Sequence, residues 1–179
     1  TATVRIGIGT PQANPTVEAE FRQLLPADVQ FVTTRLTSTS SSVQARLVHY
    51  IDNLHAALDS FGGMALDVFC FACTGSSYLV GYDGEQRALA GVAAFGYPVL
   101  TATAAIEARL RQMGAVNIAL VAPYPPWLLD SARTYWTGRG FTVRHLARVA
   151  TRSSEDTTTI YELTSADALA ALRALDTAG

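Results

Sequence analysis

The sequence predicts an α/β fold built around a mainly parallel sheet. Short apolar runs alternate along the chain with stretches of helical apolar spacing, and this is the order in which parallel strands and their crossover helices follow one another. A second observation is an internal echo, because strand, proline-containing loop, helix and strand occur in residues 4–36 and again in residues 116–149. The echo favours two similar lobes, which we place at residues 1–100 and 101–179.

The strands are predicted from apolar runs that end at turn residues. The run at 29–36 is β-branched and is followed by a Ser/Thr-rich loop, and the run at 116–122 ends at Pro123-Tyr124-Pro125-Pro126. In chain order, we predict strands over residues 4–9, 29–36, 65–72, 97–100, 116–122 and 141–149.

The helices are predicted from apolar spacing and from their end signals. Pro15 suits the first position of the first helix, with Asn14 as a candidate cap. Gly114 is a typical C-terminal stop, and Ser165 is the expected cap of the last helix. In chain order, we predict helices over residues 15–25, 43–60, 83–94, 103–113, 127–137 and 165–177, with a turn at 73–77 and a polar loop at 151–159.

The composition excludes several kinds of chemistry. The chain has 179 residues and a formal net charge of −2, and all 13 of its Lys+Arg residues are arginine. Without lysine, neither a Schiff base nor a phosphate-binding P-loop can form. Arginine stays protonated near neutral pH, so acid/base work falls to Cys, Tyr, His, Asp or Glu. The balanced charge gives no reason to expect nucleic acid or a membrane surface as a partner.

The longest uncharged stretch covers residues 88–106, between Arg87 and Glu107. It is long enough to raise the question of a membrane span. Pro98 and the glycines within it indicate instead a helix end, a tight loop and a buried strand. Because residues 1–10 also lack the layout of a signal peptide, we expect a cytoplasmic protein.

The two cysteines, Cys70 and Cys73, are too few for a disulfide framework. Their C-x-x-C spacing falls mostly within a predicted strand, whereas a redox motif would open a helix. The three histidines show no paired ligand spacing, so we expect no metal site. Cys70 should point to the face of the strand opposite Cys73 and pack in the core.

Candidate site residues lie where strands end, because ligands of open α/β sheets bind beyond the carboxyl ends of the strands. Cys73 is at such an end and is followed by small and hydroxyl residues, whose N–H and O–H groups can hold an oxyanion and lower the pKa of the thiol. Cys73 is therefore a candidate nucleophile or acid/base thiol, or else a small buried apolar residue. Tyr124, between prolines, is a candidate hydrogen-bond donor or a packed aromatic. Asn14 is a candidate carboxylate ligand or a simple helix cap.

Four segments together resemble one known family. In order and spacing, the chain resembles the aspartate/glutamate racemase superfamily, most closely its maleate cis-trans isomerase and arylmalonate decarboxylase branch. The resemblance implies two Rossmann-like (flavodoxin-like) lobes with parallel sheets and pseudo-two-fold symmetry, with the active site between them and no cofactor. The segments are Gly-Thr-Pro-Gln-Ala-Asn-Pro-Thr-Val-Glu at 9–18, Ala-Cys-Thr-Gly-Ser at 72–76, Gly-Tyr-Pro-Val at 96–99 leading into Thr-Ala-Thr-Ala-Ala at 101–105, and Val-Ala-Pro-Tyr at 121–124.

The resemblance also implies roles for individual residues. Cys73 matches the first-lobe cysteine of the isomerases and racemases, whereas the decarboxylases have glycine there. Tyr124 and Asn14 match groups that hold a substrate carboxylate. The other substrate-binding residues expected from these motifs are Pro11, Thr74, Gly75 and Ser76.

The expected function is a cofactor-independent isomerase of a small dicarboxylate such as maleate. A racemase, a malonate-type decarboxylase and a non-catalytic carboxylate-binding domain are the alternatives, and a homo-oligomer is consistent with the family. The isomerases place a second cysteine on a strand after a helix like residues 169–177, and an asparagine in a loop like 151–159. This sequence ends at Gly179 and has no asparagine in that loop, so the second lobe is expected to be incomplete.

Overall fold

Strands and helices alternate along the chain, and the α/β class is confirmed. The structure is a computed structural model that describes residues 3–152 and 157–176. It divides into two units, Thr1–Ala108 and Arg109–Gly179.

The first unit contains a four-stranded parallel sheet in the order β2-β1-β3-β4. The chain crosses from β1 to β2 on one side and then returns to place β3 on the other side of β1. The loops that leave β1 and β3 therefore separate at their carboxyl ends, which creates a crevice at this switch point. The strands are β1 (Arg5–Pro11), β2 (Gln30–Leu36), β3 (Val68–Phe71) and β4 (Val99–Thr101).

The core of this sheet is formed by fully buried aromatic and aliphatic side chains, including Ile8, Phe69 and Phe71. Gly9 allows Phe69 to lie directly against β1, because a Cβ at Gly9 would stand 2.7 Å from Phe69 Cζ. A larger residue at position 9 would displace a ring that has no free space around it.

The predicted helix over residues 43–60 is two helices in the structure. Asn53 interrupts it with φ −96° and ψ 24°. The apolar spacing continues across this break, so the sequence pattern did not indicate it. The helices that begin in the first unit are α1 (Val17–Leu24), α2 (Val43–Asp52), α3 (Leu54–Asp59), α4 (Thr74–Gly91) and α5 (Ala102–Gln112).

The turn predicted at residues 73–77 is wrong, because α4 begins at Thr74, directly after Cys73. The predicted helix over 83–94 is only the second half of α4, which Gly81 interrupts with φ 68° and ψ 173°. The uncharged stretch 88–106 is a helix end, a 3₁₀ turn at Ala93–Phe95 and a strand, followed by the start of α5. The strand is not buried as predicted, because Leu100 at its centre is 42% exposed. Within the described residues, no helix is long and apolar enough to cross a membrane.

The second unit contains two parallel strands, β5 (Asn117–Ala122) and β6 (Thr142–Arg148), joined through α6 (Pro126–Gly138). Trp136 of α6 is 1% exposed and meets the rings of Tyr135 and Phe141 edge-on, at centroid distances of 5.3 and 5.8 Å. This aromatic cluster packs the helix onto the strands that it connects.

The last helix, α7 (Ser165–Asp176), begins at the residue that we expected to cap it. The cap is instead Thr164, whose N–H and hydroxyl both donate to Asp167 Oδ2 at 2.7 Å. The predicted polar loop at 151–159 runs into a 3₁₀ turn at Thr158–Glu162. Residues 153–156 of that loop and residue 177 of the predicted helix lie outside the described residues.

Candidate active site

The switch point of the first sheet brings two of the predicted site segments together. Gly9 of β1 lies beside Phe71 of β3, and the Ala72 N–H donates to the Gly9 carbonyl at 2.8 Å. Cys73 and the loop that follows Pro11 therefore leave the sheet from neighbouring strands, at the edge where ligands of such sheets bind.

Cys73 has an extended backbone (φ −146°, ψ 95°) and caps the N-terminus of α4. Its side chain is only 7% exposed. The Ser76 hydroxyl donates to Cys73 Sγ at 3.2 Å. The sulfur thus faces hydrogen-bond donors from the first turn of the helix, where a negative charge is favoured.

The pKa of Cys73 is raised, whereas the sequence led us to expect that nearby donors would lower it. Burial raises the pKa of the thiol, and this exceeds the lowering by the Ser76 hydroxyl and by the N–H groups of Ser76 and Gly75. The expected donors are present, but removal of the sulfur from water outweighs them. The pKa of Cys73 is therefore raised, and the thiol form predominates near neutral pH.

The N-cap of α1 is Thr16, so the first helix begins after the predicted first position, Pro15, and Asn14 is not its cap. Asn14 Oδ1 accepts hydrogen bonds from the Thr16 N–H at 2.8 Å, the Thr16 hydroxyl at 2.9 Å and the Val17 N–H at 3.3 Å. These contacts orient the amide plane, with the oxygen toward the helix and the NH₂ group on the other side. Holding the turn that leads into α1 and the proposed donation to a carboxylate are therefore compatible roles for one side chain.

The loop around Pro11 is held to β2 by several hydrogen bonds. Pro11 is buried, and its carbonyl accepts from the Asn14 N–H at 2.9 Å. The Gln12 N–H donates to the Leu36 carbonyl at 3.0 Å, and Arg35 Nη1 donates to the Asn14 carbonyl at 2.6 Å. A rigid loop of this kind keeps the Asn14 side chain in one position.

Tyr50 of α2 is a site residue that the sequence analysis missed. Its ring is 5% exposed. Burial raises the pKa of Tyr50, the charge of an ionised Cys73 raises it further, and the Arg46 guanidinium and the Gln12 N–H lower it. The phenol therefore lies within electrostatic range of the thiol. The only sequence signal was the i, i+4 spacing of Arg46 and Tyr50, which places both on one face of α2.

Cys70 lies in β3 between the buried Phe69 and Phe71 and is half-buried. Burial raises the pKa of its thiol. The prediction that Cys70 packs in the core is therefore only partly right, because its face of the sheet is more exposed than the face that carries Phe69 and Phe71. Its β4 neighbour on that face, Leu100, is 42% exposed.

Tyr124 belongs to the second unit and follows β5. Its side chain is half-buried, and Arg148 Nε donates to its carbonyl at 3.0 Å. Pro125 is the N-cap of α6, so the residue is held between a strand end and a helix start. Its role toward a substrate stays a prediction.

The described residues hold no group of three or more His, Cys, Asp or Glu side chains that could bind a metal ion. The chemistry that they can offer at the switch point of the first unit is a thiol with hydroxyl, amide and phenol groups near it. These features define an α/β protein with a candidate thiol site between β1 and β3.

Comparisons with known proteins find similarity to maleate isomerases. No family model matches the chain. The maleate isomerase of Nocardia farcinica (strain IFM 10152) is 29% identical over 150 residues, covering 78% of this chain and 59% of that protein. The maleate isomerase of Geobacillus stearothermophilus is 26% identical over 153 residues, covering 78% of this chain and 61% of that protein. The chain thus spans about three fifths of the length of these relatives.

Solved structures of similar proteins match the fold of this chain. A Nocardia farcinica maleate cis-trans isomerase, a cysteine-to-serine mutant with a covalently bound succinylcysteine intermediate, matches with a TM-score of 0.78 and 25% identity, over 98% of this chain and 74% of that one. An arylmalonate decarboxylase shares the fold at 19% identity with a TM-score of 0.65, over 80% of this chain and 63% of that one. In sequence and fold the chain is therefore similar to maleate isomerases, and it shares the fold of arylmalonate decarboxylase.

Proposed function

We propose that the protein is a cofactor-independent cis-trans isomerase of a small dicarboxylate, with maleate as the reference substrate and the Cys73 thiolate as nucleophile. The observation that carries the proposal is the position of Cys73 Sγ at the end of β3, against the Ser76 hydroxyl and the first N–H groups of α4. The succinylcysteine seen in the similar isomerase is the adduct expected when a cysteine adds to a four-carbon dicarboxylate of this kind.

The proposed step conserves atoms and electrons. The thiolate of Cys73 adds to one alkene carbon of maleate, and the π electron pair moves to the neighbouring carbon and into its carboxylate. The former double bond is now single and rotates. Return of the electron pair expels the thiolate and leaves the trans isomer, with no net oxidation and no net proton transfer.

The other predicted site residues are assigned roles in binding the substrate. Thr74, Gly75 and Ser76 would stabilise the charge that develops on the carboxylate during addition. Asn14 would donate its NH₂ group to a carboxylate, and Pro11 would shape the loop that presents it. Tyr124 would donate its hydroxyl to a substrate carboxylate.

The test is the Cys73→Ala variant, with Cys70→Ala as the matched control. Proton NMR with maleate in deuterated water follows the alkene signals, and intact mass follows adduct formation. We expect Cys73→Ala to lose both fumarate formation and the adduct, and Cys70→Ala to keep the activity of the unmodified protein. Full turnover by Cys73→Ala would overturn the proposal. Exchange of the α-hydrogen of an amino acid in deuterated water, with no isomerisation of maleate, would indicate a racemase instead.

A further inference from the structure

Glu85 is a buried acid in the second half of α4 that the proposed chemistry does not use. Its side chain is 1% exposed. Its Oε1 accepts hydrogen bonds from Ser77 Oγ at 3.0 Å and from Thr103 Oγ1 at 2.6 Å. A buried carboxylate is costly unless it is well hydrogen-bonded, so this arrangement needs a reason.

The Ser77–Glu85 hydrogen bond depends on the break at Gly81. In an unbroken helix, residues eight apart are separated by about 12 Å along the axis, which is too far for these side chains to meet. Gly81 interrupts the helix with φ 68°, and the second half of α4 returns its glutamate to the first turn. A Cβ at Gly81 would meet no atom within 4 Å, so the positive φ, and not lack of space, requires glycine here.

The same carboxylate is tied to the start of α5. Thr103 donates its only hydroxyl proton to Glu85, so in the 3.1 Å contact between Thr101 Oγ1 and Thr103 Oγ1 the donor is Thr101. Thr101 Oγ1 in turn accepts from the Ala104 N–H at 3.1 Å. Glu85 therefore links the first turn of α4 to the N-terminus of α5 through buried hydroxyl groups.

The link leads to the candidate nucleophile. Ser77, which donates to Glu85, follows Ser76, which donates to Cys73 Sγ. Both serines are fully buried. We propose that Glu85 is a positioning residue that holds the first turn of α4 so that the Ser76 hydroxyl and the N–H groups of Gly75 and Ser76 face the Cys73 sulfur. Its consequence for turnover rests on the function proposed above, whereas its effect on the thiol does not.

The sign of the effect separates positioning from simple charge. Loss of a negative charge near a thiol would favour the thiolate and lower the thiol pKa. Displacement of the first turn of α4 would instead remove the donors that favour the thiolate, and would raise the thiol pKa. Glu85→Gln keeps an Oε1 that can accept both hydroxyl groups, so it should rescue the position that Glu85→Ala loses.

The experiment measures Cys73 alone, in a Cys70→Ala background of the full chain. Thiolate absorbance against pH gives the Cys73 pKa, and iodoacetamide alkylation at fixed pH gives its reactivity. We expect Glu85→Ala and Ser77→Ala to raise that pKa and to slow alkylation by roughly tenfold, as loss of a hydrogen bond of about 1.5 kcal/mol to the thiolate would. The exposed control Glu20→Ala should stay within about twofold of the parent, and Glu85→Gln should alkylate as fast as the parent or faster.

A lower or unchanged Cys73 pKa in Glu85→Ala overturns the proposal. If circular dichroism shows that Glu85→Ala does not fold, Ser77→Ala decides, because it removes only the bond on the side of the thiol. Maleate turnover is measured in parallel. If the thiol responds as expected but turnover does not require Cys73, the proposed function fails and the positioning role of Glu85 stands.

Discussion

The Ser76 hydroxyl donates to the Cys73 sulfur at 3.2 Å, across one turn of the helix that Cys73 caps. This contact lowers the pKa of a thiol that burial raises. The reactivity of Cys73 is therefore a balance between burial and its hydrogen-bond donors, and deleting one oxygen atom removes one of those donors, the Ser76 hydroxyl.

Ser76→Ala should raise the Cys73 pKa further. Loss of one hydrogen bond worth about 0.5–1.5 kcal/mol predicts a roughly threefold to tenfold slower alkylation at pH 7. The measurement is the alkylation rate by intact mass in the Cys70→Ala background. Ser131→Ala is the control, because the Ser131 hydroxyl also bonds within a helix, to the Trp127 carbonyl at 3.0 Å, but lies in the second unit. Equal rates in Ser76→Ala and Ser131→Ala would contradict the prediction.

The protein should lose stability at alkaline pH. Burial raises the folded-state pKa of Cys73 and of Tyr50. Below the unfolded thiol pKa of about 8.5, both states keep these protons and the stabilisation is complete. As pH rises further, the unfolded chain releases its protons first, so the free energy of unfolding falls by at most about 1.4 kcal/mol per pH unit for each group.

Urea unfolding between about pH 7.5 and pH 10.5 checks this alkaline loss. Cys73→Ala should flatten the slope that starts near pH 8.5, although the cavity that it leaves lowers stability at every pH. An identical slope in the variant and the parent protein would show that Cys73 titrates alike in the folded and unfolded states.

Cys73→Ala should lower the pKa of Tyr50. An ionised Cys73 raises the pKa of that phenol, and its removal relieves the repulsion between the two anions. NMR titration of ring-labelled tyrosine measures the shift, with Tyr50 assigned from the signal that Tyr50→Phe lacks. Cys70→Ala serves as the control and should leave the Tyr50 titration in place. A Tyr50 pKa that does not move in Cys73→Ala would place the phenol outside the range of the thiol.

Local patterns could predict most of the fold but not the environment of the thiol. The apolar runs predicted every strand of the first sheet, with ends that differ by up to three residues. They missed the start of α4, because Thr74, Gly75 and Ser76 have low helix propensity. This turn is held by the hydrogen bonds of Ser76 to Cys73 and of Ser77 to Glu85. Tyr50 was missed for a related reason. It comes close to Cys73 because α2 packs against α4, the helix that follows Cys73, and no local pattern encodes that contact.

Thr10 offers a last test of how the strand ends are built. It is fully buried in β1, and its hydroxyl has no hydrogen-bond partner among the described residues. Thr101 in β4 is equally buried, but its hydroxyl accepts from the Ala104 N–H and pairs with Thr103. The two threonines therefore differ in hydrogen bonding and not in burial.

Valine has the shape of threonine without the hydroxyl, so the same substitution should have opposite effects at the two positions. Thr10→Val removes an unpaired buried polar group and should raise the free energy of unfolding by about 1 kcal/mol. Thr101→Val breaks satisfied hydrogen bonds and should lower it by about 1–2 kcal/mol. Urea denaturation at neutral pH measures both variants against the parent protein. If Thr10→Val destabilised the chain as much as Thr101→Val, the Thr10 hydroxyl would have a bound water as its partner, and the strand end would be satisfied through solvent.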